Sequence, residues 1–414
     1  MAEERTYKRI PALRFPDFAN EGEWDYVNGN ELFEPIVNKN HNSDLPVLAI
    51  TQDQGAVPRD MIDYNVIVSD KSIAGYKVVE IGDFIISLRS FQGGIEYSYY
   101  KGLCSPAYIV LRRKNDRVCN EFYRYYFKST RFIQDLNRNL EGIRDGKMVS
   151  YQQFSAIMIP FPPLAEQQRI AACLSAADEM ITSTNGKLEQ LKAYKKGLMQ
   201  NLFNQRGGVI NNINNCILIR LRFPEFYNEK EWEEKKLGEI ANTFSGGTPP
   251  AGNKNYYGGS IPFIRSGELN SSCTELFLTQ EGLNNSSAKI VERGTILYAL
   301  YGATSGEVGI AQMRGAINQA ILAIIPKEDY NSLFIYYYLK SQKDSIVNQY
   351  IQGGQGNLSG TIINALNIPV PALDEQRKIA SCLSTMDNQI NAYTEKVVLL
   401  GQYKKGLMQR MFMN

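Results

Sequence analysis

The sequence predicts an α/β (α+β) protein made twice over. Two similar domains with twisted, mostly antiparallel sheets are separated by two long antiparallel coiled-coil helices, in a pseudo-twofold internal repeat. Three observations predict this. The 414 residues exceed one ordinary core, at about 150 residues per domain. The stretch IPFPPLAEQQRIAACLSAAD (159–178) returns as IPVPALDEQRKIASCLSTMD (368–387), identical at twelve of twenty positions. Each copy then continues as an apolar seam at heptad spacing.

The repeat runs through the whole chain. ALRFPDFANEGEW (12–24) returns as RLRFPEFYNEKEW (220–232), EFYRYYFKS (121–129) as LFIYYYLKS (333–341), and YKKGLMQNLF (194–203) as YKKGLMQRMF (403–412), in the same order. Two copies are too few for a solenoid, which needs three or more stacked units. The chain accordingly divides into an N-terminal segment (1–22), a first domain (23–160), a first long helix (161–206), a linker (207–230), a second domain (231–370) and a second long helix (371–414). Gly207 and Gly208 end the first helix, and the asparagine cluster after them reads as a loop.

In the first helix the seam is Ile170, Leu174, Ile181, Leu188, Leu191 and Leu198, with Thr184 and Lys195 filling its gaps. In the second it is Ile379, Leu383, Ile390, Val397, Leu400 and Leu407, with Lys404 in the slot of Lys195. Prolines precede each run, and Glu166 and Glu375 sit in the first turns, where the helix dipole favours acid. At 1.5 Å per residue each rod is about 60 Å long. A rod with one apolar seam needs a partner, and the other copy is the nearest; the alternative is that each helix packs on its own domain. Cys173 and Cys382, equivalent positions in these helices, read as small packed side chains.

The domains mix short β-rich runs such as FIISLRSFQGG (84–94) and IPFIRSGEL (261–269) with glycine and proline turns, and carry helices near 121–140 and 331–350. The tyrosines at 123–126 and 336–338 read as helix-packing aromatics.

Several function classes fall away. No apolar run reaches the ~18 residues of a membrane span, and MAEERTYKRIPALRFP lacks the apolar core of a signal peptide. A cytoplasmic protein is expected, its six cysteines reduced because none forms a CxxC pair. The single histidine, His41, argues against a histidine-centred nucleophile or a His-rich metal site. GGQG (353–356) follows a helix and lacks the third glycine of a dinucleotide fingerprint. No catalytic or metal-binding residue is assigned.

The polar loops suit recognition of an extended polar partner. Net charge is only +2, but residues 101–150 hold eleven Lys or Arg against five Asp or Glu, whereas 301–350 hold four of each. Arg, Asn and Gln are the side chains that read base edges; Lys, Ser and Tyr contact phosphate. The candidates in the first domain are Arg89, Ser90, Gln92 and Lys101, with Arg144 and Lys147 in GIRDGK. In the second they are Lys254, Tyr256, Arg265, Ser266, Asn270, Tyr301 and Thr304, with Gln355 and Asn357 in GGQGNLS. For any one of them a solvated loop is the plainer reading.

The ordered set resembles the specificity subunits of type I restriction–modification systems: LRFP…EW before each variable region, SGGTPP with YYGG and IPFIRSGEL, GGQGNLS, and the IPxPxLxEQ helix starts ending in YKKGLMQ. ELFEPIVNK stands in the first domain where the second has SGGTPP, a departure from the family pattern. The resemblance implies two target-recognition domains, each reading one half of a bipartite, asymmetric double-stranded DNA target. It implies helices that dock two methyltransferase (modification) subunits, which carry S-adenosylmethionine. It also implies restriction subunits that supply ATP- and Mg-dependent translocation and cleavage. The chain itself would hold no cofactor and catalyse nothing. The alternatives are a coiled-coil scaffold without a DNA role and a self-contained DNA-modifying enzyme. The latter would need a cofactor loop and an NPPY-type motif, and neither is in the sequence.

Overall fold

A computed structural model describes residues 10–62, 73–138, 149–203, 221–350 and 357–412. The chain forms two units, Met1–Asn185 with Glu395–Asn414, and Gly186–Thr394. Both long helices, Leu164–Leu202 and Leu373–Phe412, contribute one part to each unit. The expected end of the first helix at Gly207 lies outside the described residues.

The first unit is built on an antiparallel sheet with strand order Phe33–Ile36, Ile109–Arg113, Phe84–Ile86, Glu96–Tyr97. Two small ladders, Leu48–Thr51 with Gly55–Pro58 and Lys77–Val79 with Gly102–Cys104, form separate two-stranded sheets in the same unit. Helices Asn120–Tyr126 and Thr130–Arg138 cover the larger sheet. The EFYRYYF run is helical and buries Phe122, Tyr123, Tyr125 and Tyr126. Edge-to-face rings, Phe33 with Phe84 at 5.4 Å and with Tyr123 at 5.2 Å, fill the centre. Ile170 and Leu174 of the first long helix join this core, and so do Leu407, Met411 and Phe412 of the second. Residues 170–174 thus face 407–412 and Asp178 faces Lys404, so the two helix segments run antiparallel within the unit.

The second unit repeats the plan. One sheet has the order Ala241–Ser245, Ile321–Pro326, Ile296–Ala299, Val308–Ile310; another runs Phe277–Leu278, Tyr257–Ile264, Gly315–Ile317, Lys289–Val291. The pairing of Phe263 with Ala316 is parallel, the exception among mostly antiparallel ladders. Ser332–Ser341 is the equivalent aromatic helix, capped by Asn331, whose side chain accepts the Phe334 N–H at 3.0 Å. Its core takes Ile379, Ala380 and Leu383 from the second long helix and Met199, Leu202 and Phe203 from the first, again antiparallel.

The seam positions named from the heptads are all at least half-buried. Ile170, Leu174, Leu188, Ile379, Leu383 and Leu407 are fully buried, and Thr184 and Lys195 in the gaps are buried with them. Met180, Tyr194, Val398, Leu399 and Tyr403 are exposed.

Glu166 and Glu375 lie in the first turns of the long helices, and each makes a specific partner contact there as well. Both carboxylates are fully buried, and each meets the arginine of its LRFP segment in a two-pronged ion pair. Arg14 donates to Glu166 at 2.7 and 2.8 Å. Arg222 donates to Glu375 at 2.9 and 2.8 Å. The next residue completes the joint. Gln167 accepts the Cys119 N–H at 2.9 Å and donates to the Pro162 carbonyl at 2.8 Å. Gln376 accepts the Asn331 N–H at 2.8 Å and donates to the Pro371 carbonyl at 2.9 Å. The repeated EQ therefore fastens the LRFP segment and the domain's aromatic helix to the start of the long helix.

Glu166→Ala strands a mostly buried guanidinium and is expected to cost about 3 kcal/mol. Arg14→Met with Glu166→Leu should cost much less, because neither charge is then left alone; urea unfolding midpoints of both variants check this. Among the described residues Cys104, Cys119, Cys173, Cys273 and Cys382 are free thiols; Cys216 lies outside them. Burial pushes the Cys104 thiol up to about 12. Iodoacetamide at pH 8 should therefore label exposed Cys273 and spare Cys104 in the native chain, read by peptide mass mapping.

Candidate nucleic-acid interface

In the first unit the candidates gather on the short helix Ser90–Gly93. Arg89 and Gln92 stand at it, Arg89 exposed and Gln92 on its outer turn. Ser90 is not available: it is 1% exposed, and its Oγ accepts the Ser87 N–H at 2.8 Å. That hydroxyl is used to hold the turn, which corrects its assignment as a contact residue. The chain then reverses at Gly94, whose φ of +81° and a would-be Cβ 1.9 Å from the Phe127 carbonyl oxygen admit only glycine.

Lys128 supports this turn and was missed by sequence reasoning. Its Nζ donates to the carbonyls of Gly93 at 3.0 Å and Gln52 at 3.2 Å, and to Glu96 Oε1 at 2.6 Å. Glu96 is 1% exposed. Burial raises its pKa and Lys128 opposes the rise. The available signal is a lysine closing an aromatic run in both repeats. Its counterpart, Lys340, donates to the Tyr336 hydroxyl at 2.9 Å. Lys101 lies apart from this turn in sequence and pairs with Glu80 at 2.9 Å on the surface. Such a surface pair is weak enough to yield to a phosphate. Arg144 and Lys147 lie outside the described residues.

In the second unit the candidates occupy three loops. Lys254 is exposed and Tyr256 half-buried on the turn Lys254–Tyr256, where the Asn253 side chain accepts the Asn255 N–H at 3.1 Å. Arg265, half-buried Ser266 and exposed Asn270 share the next loop. The sequence suggests a free, base-reading Arg265. The structure instead places its guanidinium 3.2 Å from Glu268 and 2.6 Å from Glu275. These two hydrogen-bonded carboxylates, Glu268 first, raise its pKa. In this arrangement the fork of Arg265 is occupied within its own loop. Asn270 Oδ1 accepts the Ile310 N–H at 3.1 Å.

The third loop is the turn after Leu300. The Glu307 N–H donates to the Thr304 carbonyl at 2.9 Å, and the Leu358 N–H to the Leu300 carbonyl at 3.1 Å. That second bond sets exposed Asn357 beside the turn that carries Tyr301 and Thr304, both half-buried, with Tyr301 packed against the core. Gln355 lies outside the described residues. The structure thus groups Arg89 with Gln92, and Tyr301 and Thr304 with Asn357. It keeps Lys254 and Tyr256 on a loop of their own.

This arrangement can hold and discriminate a polar partner. Long cationic and amide side chains stand on loops whose backbones are fixed by capped turns and buried hydrogen bonds. Among the described residues no group of three or more His, Cys, Asp or Glu is placed to hold a metal ion. No helix among them is long and apolar enough to cross a membrane.

The type I restriction modification DNA specificity domain matches residues 21–193 and again 229–399. The MjaVIII specificity subunit of a type I restriction enzyme from Methanocaldococcus jannaschii is 25% identical over 98% of this chain and 94% of its own length. The MjaIX specificity subunit of the same organism is 34% identical over 41% of this chain and 42% of its own. The crystal structure of the type I S subunit from M. genitalium shares the fold at a TM-score of 0.57, with 16% identity over 98% of this chain and 99% of that one. With two matches that fall on the two reading domains and run on into the long helices, the chain belongs to the type I restriction–modification DNA specificity family, whose role is DNA recognition.

Proposed function

We propose that this specificity subunit reads a bipartite, asymmetric double-stranded DNA target, one half-site per unit, and catalyses nothing itself. The observation that carries the reading is a duplicated frame with unlike loops. The Arg–Glu–Gln joints and aromatic helices recur almost atom for atom. The loops differ: a short helix bearing Arg89 and Gln92 in one unit, the Lys254 turn and the Arg265 loop in the other. A shared frame suits two copies of one partner, and unlike loops suit two unlike DNA halves. We assign the partners as two modification subunits, which hold S-adenosylmethionine and methylate adenine. Restriction subunits would bring ATP and Mg to the complex.

Co-expression with the modification subunit, followed by genome-wide mapping of methylated adenines, tests this. An interrupted target with two different halves is expected; a single continuous or symmetric target overturns the reading. Arg89→Ala should alter only the half-site of the first unit, and Lys254→Ala only that of the second. If the side chain touches a base, its removal costs about 1–3 kcal/mol at one position. If it touches a phosphate, its removal weakens all sequences alike and lowers the salt slope by about one. Calorimetric titration of the chain alone with S-adenosylmethionine should give no saturable heat, and one-to-one binding would overturn the non-catalytic assignment.

A further inference from the structure

The seams of the long helices contain a feature that apolar packing alone does not need. Lys195 is 7% exposed at a seam position, and Lys404 holds the equivalent position in the other helix. In the first unit Lys404 Nζ contacts Asp178 Oδ1, while the Tyr125 hydroxyl donates to Asp178 Oδ2 at 2.7 Å. In the second unit Lys195 Nζ contacts Asp387 Oδ1, while the Tyr337 hydroxyl donates to Asp387 Oδ2 at 2.7 Å. Each ammonium also sits over its tyrosine ring, at 5.2 Å from Tyr125 and 4.9 Å from Tyr337. One triad of lysine, aspartate and tyrosine therefore occurs twice, and joins a helix end, the start of the other helix, and a domain.

We propose that Lys195 and Lys404 are positioning residues that select one alignment of the two long helices, antiparallel and in a single register. The two helices have closely similar seams, so a parallel in-register pairing would match apolar residues equally well. That pairing sets Lys195 against Lys404 and Asp178 against Asp387, like charge on like charge. Along the seam itself, an antiparallel pairing slipped by one heptad keeps apolar on apolar after a shift of about 10 Å, although it moves the helix ends within the domain cores. It sets Lys404 against Ala171 or Asn185, and Lys195 against Ala380 or Thr394. Each slip leaves two seam lysines without a carboxylate, and an unpaired buried charge is strongly disfavoured. Only the observed register gives both lysines an acceptor. A single polar residue in a seam commonly fixes register in this way. For the function proposed above, one register means one target; register selection itself rests on the helix pair and not on DNA reading.

Photo-crosslinking in the full chain tests it. Thr182 lines a cleft with Lys404 and Met408, so benzoylphenylalanine at Thr182 should crosslink to that turn of the second helix. The double variant Lys195→Met, Lys404→Met should keep or raise the unfolding midpoint, because methionine suits an apolar seam. It should add a second crosslink seven residues from the first. The conservative pair Lys195→Arg, Lys404→Arg should return the single native crosslink. Asp178→Asn with Asp387→Asn attacks the same contacts from the acceptor side and should also add the shifted crosslink. A single unshifted crosslink in both the methionine and the asparagine variants overturns the proposal, whatever happens to the midpoint. The readout needs no DNA and no modification subunit, so failure of the DNA reading would leave it intact.

Discussion

The core of the first unit is closed from outside its own stretch of sequence. Leu407, Met411 and Phe412, the last turns of the second long helix, lie among Trp24, Phe122, Tyr126 and Leu174. Phe412 meets the Phe122 ring edge-on at 5.4 Å. Burying side chains of this kind stabilises by about 1.5–3 kcal/mol each. The second unit obtains the same from Met199, Leu202 and Phe203, with Phe203 against Phe334 at 5.7 Å. A long helix that had to pack only on its own domain could end anywhere. Here the end of each helix is a core element, so helix length and domain folding are one constraint.

That constraint explains where the sequence repeats and where it does not. The EQ joint, the LRFP arginine, the tyrosine hydroxyl on the seam aspartate and the YKKGLMQ end all serve the closed frame. Arg89, Lys254 and Asn357 are themselves exposed and take no part in these contacts, although their neighbours Phe91 and Leu358 pack on the cores. Exposed side chains of this kind can differ between the units at little cost to either core, as a reader of two unlike sequences requires.

Local patterns are readable in the sequence for a physical reason. Heptad spacing, proline before a helix and glycine at a reversal act within a few residues, so the helices, the repeat and the seam positions from Ile170 to Leu407 can be placed by inspection. The fold class follows from those patterns and their order, whereas the type of partner follows only from the resemblance of the ordered motifs to a known family. The fate of single polar side chains does not. Ser90 looks like a free hydroxyl until its buried turn is seen. Arg265 looks free until Glu275, ten residues on, closes on it.

The sequence by itself determined a duplicated chain with two apolar helical seams and two unlike sets of polar loops, because periodicity and repetition are properties of the chain alone. Only the tertiary structure decided which charges are paired inside. Glu166 finds Arg14 across 152 residues, Lys195 finds Asp387 across 192, and Lys128 finds Glu96 and two carbonyls on neighbouring loops. A buried charge is tolerable only with its partner in place, and that partner is chosen by folding rather than by proximity in sequence.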